Sequence, residues 1–398
     1  LTSGWRSSSK GRWSFQRTII AAELCLALVL LVSGTLMARS LGELMAVDPG
    51  FEGNQLAMIR TILPSYRYTD PGDLSTQVAR MQQALASVPG VTSASATTRL
   101  PFHDGPNLLS FGIEGRPEPE GMSPHASSRS VLPGFFETMG IRILQGRPLR
   151  ETDRLGSQPV AVISESMARR HWPNESPLGA RILFYDTLEV VGVAADVIHE
   201  SLDAEPLETL YLPFASEPSA RVSFVVRTAG PPEPLFGNLR QAIWSVDPDL
   251  PVTRTATLSS LMSESARSER FRALLTTLFS VCATALVAAG VFGVTARAVA
   301  QRRKEMGIRR ALGAESGALL RLGITGTAYA GLTGLGAGFL GALLVSRLLR
   351  SFLFGVRPWD PAAFAISIAA LLAMAGAAAW LPARRAARVE PMDVLREE

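Results

Sequence analysis

A phosphate-binding loop of the form G-x-x-x-x-G-K-[ST] needs a lysine to reach the phosphates. The two lysines of this chain, Lys10 and Lys304, are followed by Gly11 and Glu305, so neither fits that role. The four histidines, His103, His125, His171 and His199, are scattered along the chain. His199-Glu200 opens like the H-E-x-x-H of a zinc hydrolase, in which two imidazoles one helical turn apart hold the metal, but Asp203 stands where the second histidine belongs. No G-x-S-x-G elbow is present to expose a nucleophilic serine. These residues predict a protein that is not an enzyme, with no metal site and no cofactor of its own.

One motif needs its context. Gly336, Gly338 and Gly341 spell the G-x-G-x-x-G of a dinucleotide fold, and Asp360 follows at about the spacing of a ribose-binding acid. The glycines lie inside an apolar run, residues 322–344, with no strand before them. Glycines four apart strip the bulk from one helix face and let a neighbouring helix approach. Gly334 and Gly338 are therefore expected to serve helix packing.

That run is one of four, at residues 18–38, 274–294, 322–344 and 362–381. Each reaches the roughly 20 residues a helix needs to cross about 30 Å of hydrocarbon. Basic residues gather before the first run (Arg6, Lys10, Arg12, Arg17), between the second and third (Arg297, Arg302, Arg303, Lys304, Arg309, Arg310, Arg321) and after the fourth (Arg384, Arg385, Arg388). Short basic connections are retained on the cytoplasmic side. Both ends are thus expected inside, with residues 39–271 on the outer face. Arg347, Arg350 and Arg357 sit toward the outer turn, so the asymmetry holds in bulk only. The first run is longer than a signal peptide's core and no small-x-small cleavage site precedes Arg39, which favours a retained span. Glu23, about one turn inside it, is expected to snorkel to the interface or pair with Arg17.

With 47% hydrophobic and 19% charged residues, the composition suits spans joined to one folded domain. The net charge of +4 resides at membrane edges, where it orients helices and attracts anionic lipid. No nucleic-acid partner is expected. Cys25 and Cys282, the only cysteines, lie in apolar runs, so the outer domain must fold without disulfides. The start at Leu1 and the Ser-, Gly- and Arg-rich opening, residues 1–17, read as a cytoplasmic linker in a piece of something longer.

The outer region shows one unit twice: strand 56–63, helix 74–88 and strand 91–97, then strand 221–227, helix 234–246 and strand 252–257. Two β-α-β units predict a split α/β sandwich. Between them, residues 115–214 read as an inserted, mostly β subdomain, with strands at 160–163, 181–184 and 188–193 and a helix at 165–171. Residues 258–272 have a helical pattern running straight into the second span, which would join the movement of the two. The expected class is an α+β membrane protein, with four transmembrane helices and a large mixed α/β extracytoplasmic domain between the first and second.

The loop after the second span, residues 297–321, is basic along one edge, while Met306, Ile308, Ala311 and Leu312 form an apolar one. A short amphipathic helix along the membrane fits, as does a merely solvated loop. The run Arg303, Lys304, Glu305, Met306, Gly307, Ile308, Arg309, Arg310, Ala311, Leu312, Gly313, Ala314 resembles the R-x-x-E-I-G-I-R-x-A-L-G-A loop of FtsX-like and macrolide-exporter-type (MacB-type) ABC permeases, with Met306 in place of isoleucine. Val47-Asp48-Pro49-Gly50-Phe51, Phe135-Phe136-Glu137-Thr138-Met139-Gly140-Ile141 and Asp247-Pro248-Asp249-Leu250-Pro251 resemble that family's periplasmic core. Leu381-Pro382-Ala383-Arg384-Arg385 through Met392 resembles its C-terminal end. The details are most similar to the second half of the duplicated orphan permeases of acidobacterial type.

The resemblance implies an FtsX-like permease domain over residues 272–398 and a permease subunit in the bacterial inner membrane. Separate ABC ATPase subunits would bind ATP and push on residues 303–313 as a coupling helix, moving the periplasmic domain by mechanotransmission. A second permease module, by homodimer or as the first half of a duplicated chain, and a membrane-fusion protein are the further partners implied. A scaffold or signal transducer regulating an envelope enzyme, without transport, would share the same layout.

Overall fold

The computed structural model describes residues 7–64, 66–116, 123–154, 156–301 and 316–387. They divide into a sheet unit, Val47–Arg267, and a helical unit built from the segments on either side of it.

In the sheet unit, strand β1 (Leu56–Ile62) leads into α2 (Pro71–Ala86) and back through β2 (Val91–Thr97). Asp70 starts α2 by accepting from Gly72 N at 2.7 Å, with Pro71 at the first helical position where its missing N–H costs nothing. Leu74, Val78, Met81 and Leu85 recur at helical spacing and are buried on one face. The second unit is β11 (Arg221–Thr228), α5 (Phe236–Val246) and β12 (Val252–Thr257). β1 pairs antiparallel with both β11 and β12, and β11 with β2, so the units interleave in the order β12-β1-β11-β2. Val78, Met81 and Leu85 of α2 meet Leu239 and Ile243 of α5 and Phe224 of β11 in one core.

Residues 115–214 do not make a separate sheet. Among the described residues one twelve-stranded sheet runs on from β2 through β5 (His125–Val131), β10 (Thr209–Pro213), β7 (Val160–Ser164), β9 (Thr187–Ala194) and β8 (Arg181–Leu183) to β4 (Gly112–Ile113). β3 (Leu108–Ser110) and β6 (Ile143–Gly146) pair off the path, with β5 and β9. Helices α3 (Phe135–Met139) and α4 (Glu165–His171) pack on it. Glycine is required at Gly146, where φ is +71° and a Cβ would stand 2.3 Å from Val191 O.

The helical unit contains α1 (Ser7–Met45), α7 (Arg267–Gln301), α8 (Ser316–Leu348) and α9 (Pro361–Ala387). Among the described residues, four helices are long and apolar enough to cross a membrane, over Thr18–Met45, Arg267–Arg297, Gly331–Phe352 and Pro361–Leu381. The helix expected to run unbroken from 258 into the second of these is divided. α6 (Leu258–Ser265) closes at Ala266, whose N–H bonds Met262 O at 3.3 Å, and α7 begins anew at Arg267.

The Asp-Pro-Asp-Leu-Pro turn after α5 ties the two β-α-β units at one end. Asp247 accepts from Tyr68 Oη at 2.5 Å and from Arg67 Nη1 at 3.0 Å, while Arg67 Nη2 reaches Asp249 at 3.0 Å. Burial by itself would raise the Asp247 carboxyl. The bonds from Tyr68, the Asp249 backbone and Arg67, with the Arg67 charge, outweigh it and hold the carboxyl below its ordinary range. A carboxyl depressed on folding stabilises above its unfolded pKa of about 3.9, and that contribution is lost as pH falls through the folded value. Asp247→Asn is expected to cost about 1–3 kcal/mol near neutrality and to flatten the loss of stability below about pH 4. Denaturant unfolding of the full chain across pH checks both; an unchanged acid limb would contradict the assignment.

Candidate functional site

The chemistry-bearing residues noted in the sequence do not converge. His199 and Glu200 lie in the irregular segment between β9 and β10, on no helix. Among the described residues no group of three His, Cys, Asp or Glu side chains is arranged to hold a metal ion. The sheet unit does carry a cleft of about 420 Å³ between α2 and the loop after β6, lined by Thr76, Gln82, Arg150, Arg154, Pro213 and Phe214 among others. Gln82 at its wall donates to Ala94 O at 2.8 Å. Arg150 N and Arg147 hold Asp153 below the ordinary carboxylate range against the opposing effect of its burial, which fixes the loop. Such a cleft can seat a ligand.

In the helical unit α1 packs against each of the other three helices, and Phe339 of α8 also meets Phe364 of α9, their ring centroids 5.4 Å apart. A Cβ added at Gly334 of α8 would stand 2.6 Å from Ala21 O and 2.8 Å from Ala21 Cα; at Gly338 it would stand 3.0 Å from Cys25 Cα. Gly341 continues the line, 3.1 Å from the Val29 side chain, whereas Gly336 meets nothing within 4 Å. The two backbones therefore approach at Gly334 and Gly338, Gly341 extends the stripe against a side chain, and two of the three glycines of the nucleotide-like motif belong to it.

On other sides of α1, Gly34 faces Ser280 of α7, whose hydroxyl is shared between Leu30 O at 2.6 Å and Thr276 O at 2.8 Å. Thr35 and Ser367 of α9 place their hydroxyl oxygens 3.1 Å apart. Leu24, Leu28, Val32 and Leu36 fill the centre with Val287, Val291, Phe364 and Leu371. Glu23 turns toward α7, where its Oε2 lies 2.4 Å from a Cβ built on Gly290. The Arg17 side chain, its expected partner, lies outside the described residues, as does the whole proposed coupling segment, Arg303 to Gly313.

Sequence reasoning missed the clasp at the other end of α1. Arg39 forms an ion pair with Asp360, which also accepts from Ala363 N at 3.2 Å and so caps α9. Ser40 Oγ accepts from Phe354 N at 2.8 Å. The signal was present: Asp360 immediately precedes Pro361, the cap-then-proline order of a helix start.

Residues 24–234 match the MacB-like periplasmic core domain family, and residues 277–391 match the FtsX-like permease C-terminal family. The fold and these matches define a membrane protein with an extracytoplasmic domain. The chain belongs to the ABC transporter permeases of the FtsX-like, MacB-like periplasmic core family. It is 26% identical over 290 residues to the uncharacterized ABC transporter permease YknZ of Bacillus subtilis, covering 69% of this chain and 70% of that one. It is 24% identical over 298 residues to the macrolide export ATP-binding/permease protein MacB of Shigella sonnei, covering 69% of this chain and 44% of that one. The periplasmic region of MacB from Actinobacillus actinomycetemcomitans aligns with 56% of this chain and 97% of its own length at 17% identity, with a TM-score of 0.38.

The glycine geometry ranks three substitutions. Gly334→Ala drives a methyl into backbone and is expected to cost about 1–3 kcal/mol, Gly338→Ala less, and Gly336→Ala nothing measurable. Thermal unfolding of the purified chain in detergent reads the order. A loss at Gly336 equal to that at Gly334 would contradict the packing.

Proposed function

We propose that this chain is the transmembrane permease subunit of an ABC-type transport or efflux system. It carries motion from cytoplasmic ATPase subunits to its extracytoplasmic domain. One observation carries this reading. The long helices turn polar and glycine contacts inward and leave Leu274, Leu278, Val281 and Leu286 exposed, and they flank a folded unit in which no reactive centre is found among the described residues. Outward-facing leucines suit hydrocarbon, where every backbone group must already be satisfied within the helix. ATP would be bound by a separate subunit, since Lys10 and Lys304 cannot serve a phosphate loop. The MacB relative is named for both ATP binding and permease function, and it is the permease role that this reading assigns here. Export of a substrate through a partner protein, and pairing with a second permease module, belong to the same proposal.

Four spans with both ends cytoplasmic follow from the arginine asymmetry. Single cysteines introduced at Ser157 and Ser219, in a Cys25→Ala, Cys282→Ala background, should be labelled from outside intact cells, and those at Ser9 and Ser316 should not. Labelling of Ser316 from outside would reverse the orientation.

The contact with the ATPase is assigned to residues 303–313, which lie between two spans, so that a push on them reaches both. Met306→Asp with Ile308→Asp would place two charges in a desolvated groove, at a cost on the order of several kcal/mol. Membrane insertion should persist while ATPase co-purification and stimulation fall together. Unchanged coupling at normal expression would return the segment to a solvated basic loop.

A further inference from the structure

The middle of the sheet holds an arginine with no carboxylate on it. Arg129 of β5 is 1% exposed, and its Nη1 donates to Arg99 O at 2.8 Å. Its Nε and Nη2 are buried and bond to nothing among the described residues. Those two atoms form the parallel donor edge with which a guanidinium grips an oxygen pair or a single anion. Tyr211 stands opposite Arg129 in the parallel β5–β10 register, on the same face, and its hydroxyl is likewise buried and unpartnered. His199 is buried within electrostatic reach of Arg129, with both ring nitrogens unpartnered among the described residues. It is held in place by its carbonyl, which accepts from Phe102 N at 2.7 Å.

The nearest carboxylates are committed or outside. Asp104 accepts from Arg60 Nη2 at 2.7 Å and from Leu100 N at 2.9 Å. Asp196 accepts from Ser166 N at 2.7 Å and from Arg169 at 3.1 Å. Glu200 is exposed.

We propose that the Nε–Nη2 edge of Arg129, together with Tyr211 and His199, is a binding site for one small monovalent anion such as chloride, enclosed within the sheet unit. Two independent features point to an anion over water. The cluster is richer in donors than acceptors: two guanidinium nitrogens, the phenol O–H and one imidazole N–H outnumber its two acceptors, the phenol oxygen and the other imidazole nitrogen, and an anion accepts without donating. The cluster is also charged. Burial lowers the Arg129 guanidinium only to about 10, while burial, reinforced by Arg129, holds His199 well below its ordinary value and therefore neutral. Burial pushes Tyr211 up to about 12, so it stays a phenol. One positive charge thus remains near neutrality, in surroundings where an unpaired charge is costly.

The full chain, purified in detergent at pH 7, would be unfolded thermally while sodium gluconate is exchanged for sodium chloride, bromide or nitrate at constant ionic strength. Gluconate is too large to enter. Wild type should gain about 3 to 5 °C for each tenfold rise in small anion once the site is loaded. Arg129→Met should lose that response, and Tyr211→Phe should raise the half-saturating concentration several-fold. A wild-type melting temperature equal in chloride and gluconate would mean that water satisfies the donors and would overturn the proposal. A chloride response retained in Arg129→Met would overturn it too. Should Arg129→Met fail to fold, an unaltered half-saturating concentration in Tyr211→Phe would do the same.

Discussion

Backbone touching backbone at Gly334 and Gly338 is the contact on which the helical unit depends. Helices in an apolar medium gain little from hydrophobicity, because their surroundings are as apolar as their side chains. Close approach supplies dispersion contact and brings small polar groups within reach. The consequence is visible along α1, where the glycine stripe of α8 occupies one side and Gly34 admits the Ser280 hydroxyl of α7 on another. The hydroxyls of Thr35 and Ser367 meet on the side of α9. A bulkier residue in the stripe would push α8 away from α1, the helix that all three of its neighbours use.

The sheet unit rests on a different constraint. It contains no cysteine, so the twelve strands among its described residues are held by burial and by the pairing of distant segments. β1 is the joint: it lies between β11 and β12, more than 150 residues further on, and is buried at six of its seven positions. Closing so long a loop is entropically costly, by an amount that grows only slowly with length. The buried faces of Val78, Met81, Phe224 and Ile243 offset that cost, and the fork of Arg67 on Asp247 fixes the register of the turns.

Much of this is legible in residue order. The four apolar runs, the two β-α-β units and the packing glycines are local signals: hydropathy over a span length, alternation between periods of two and 3.6, and small residues one turn apart. The helix start at Asp360-Pro361 is legible in the same way, although as chemistry it resembles a ribose-binding acid.

β5 shows where such reading stops. His125-Ala126-Ser127-Ser128-Arg129-Ser130-Val131 has neither alternation nor apolar character to mark it as a strand, yet six of its seven residues are buried in the centre of the sheet. Its neighbours β2, β10 and β3 are fixed by long-range pairing, and the backbone bonds they supply impose a strand where propensity does not. The break at Ala266 is of the same kind, since the pattern of residues 258–272 is helical throughout and the local geometry nonetheless ends one helix and begins another. Periodicity and hydropathy belong to neighbours in the chain and so are written in the amino-acid order. The enclosure of Arg129, Tyr211 and His199 belongs to neighbours in space, and only the folded sheet could put a charged side chain where its own sequence gives no sign of burial.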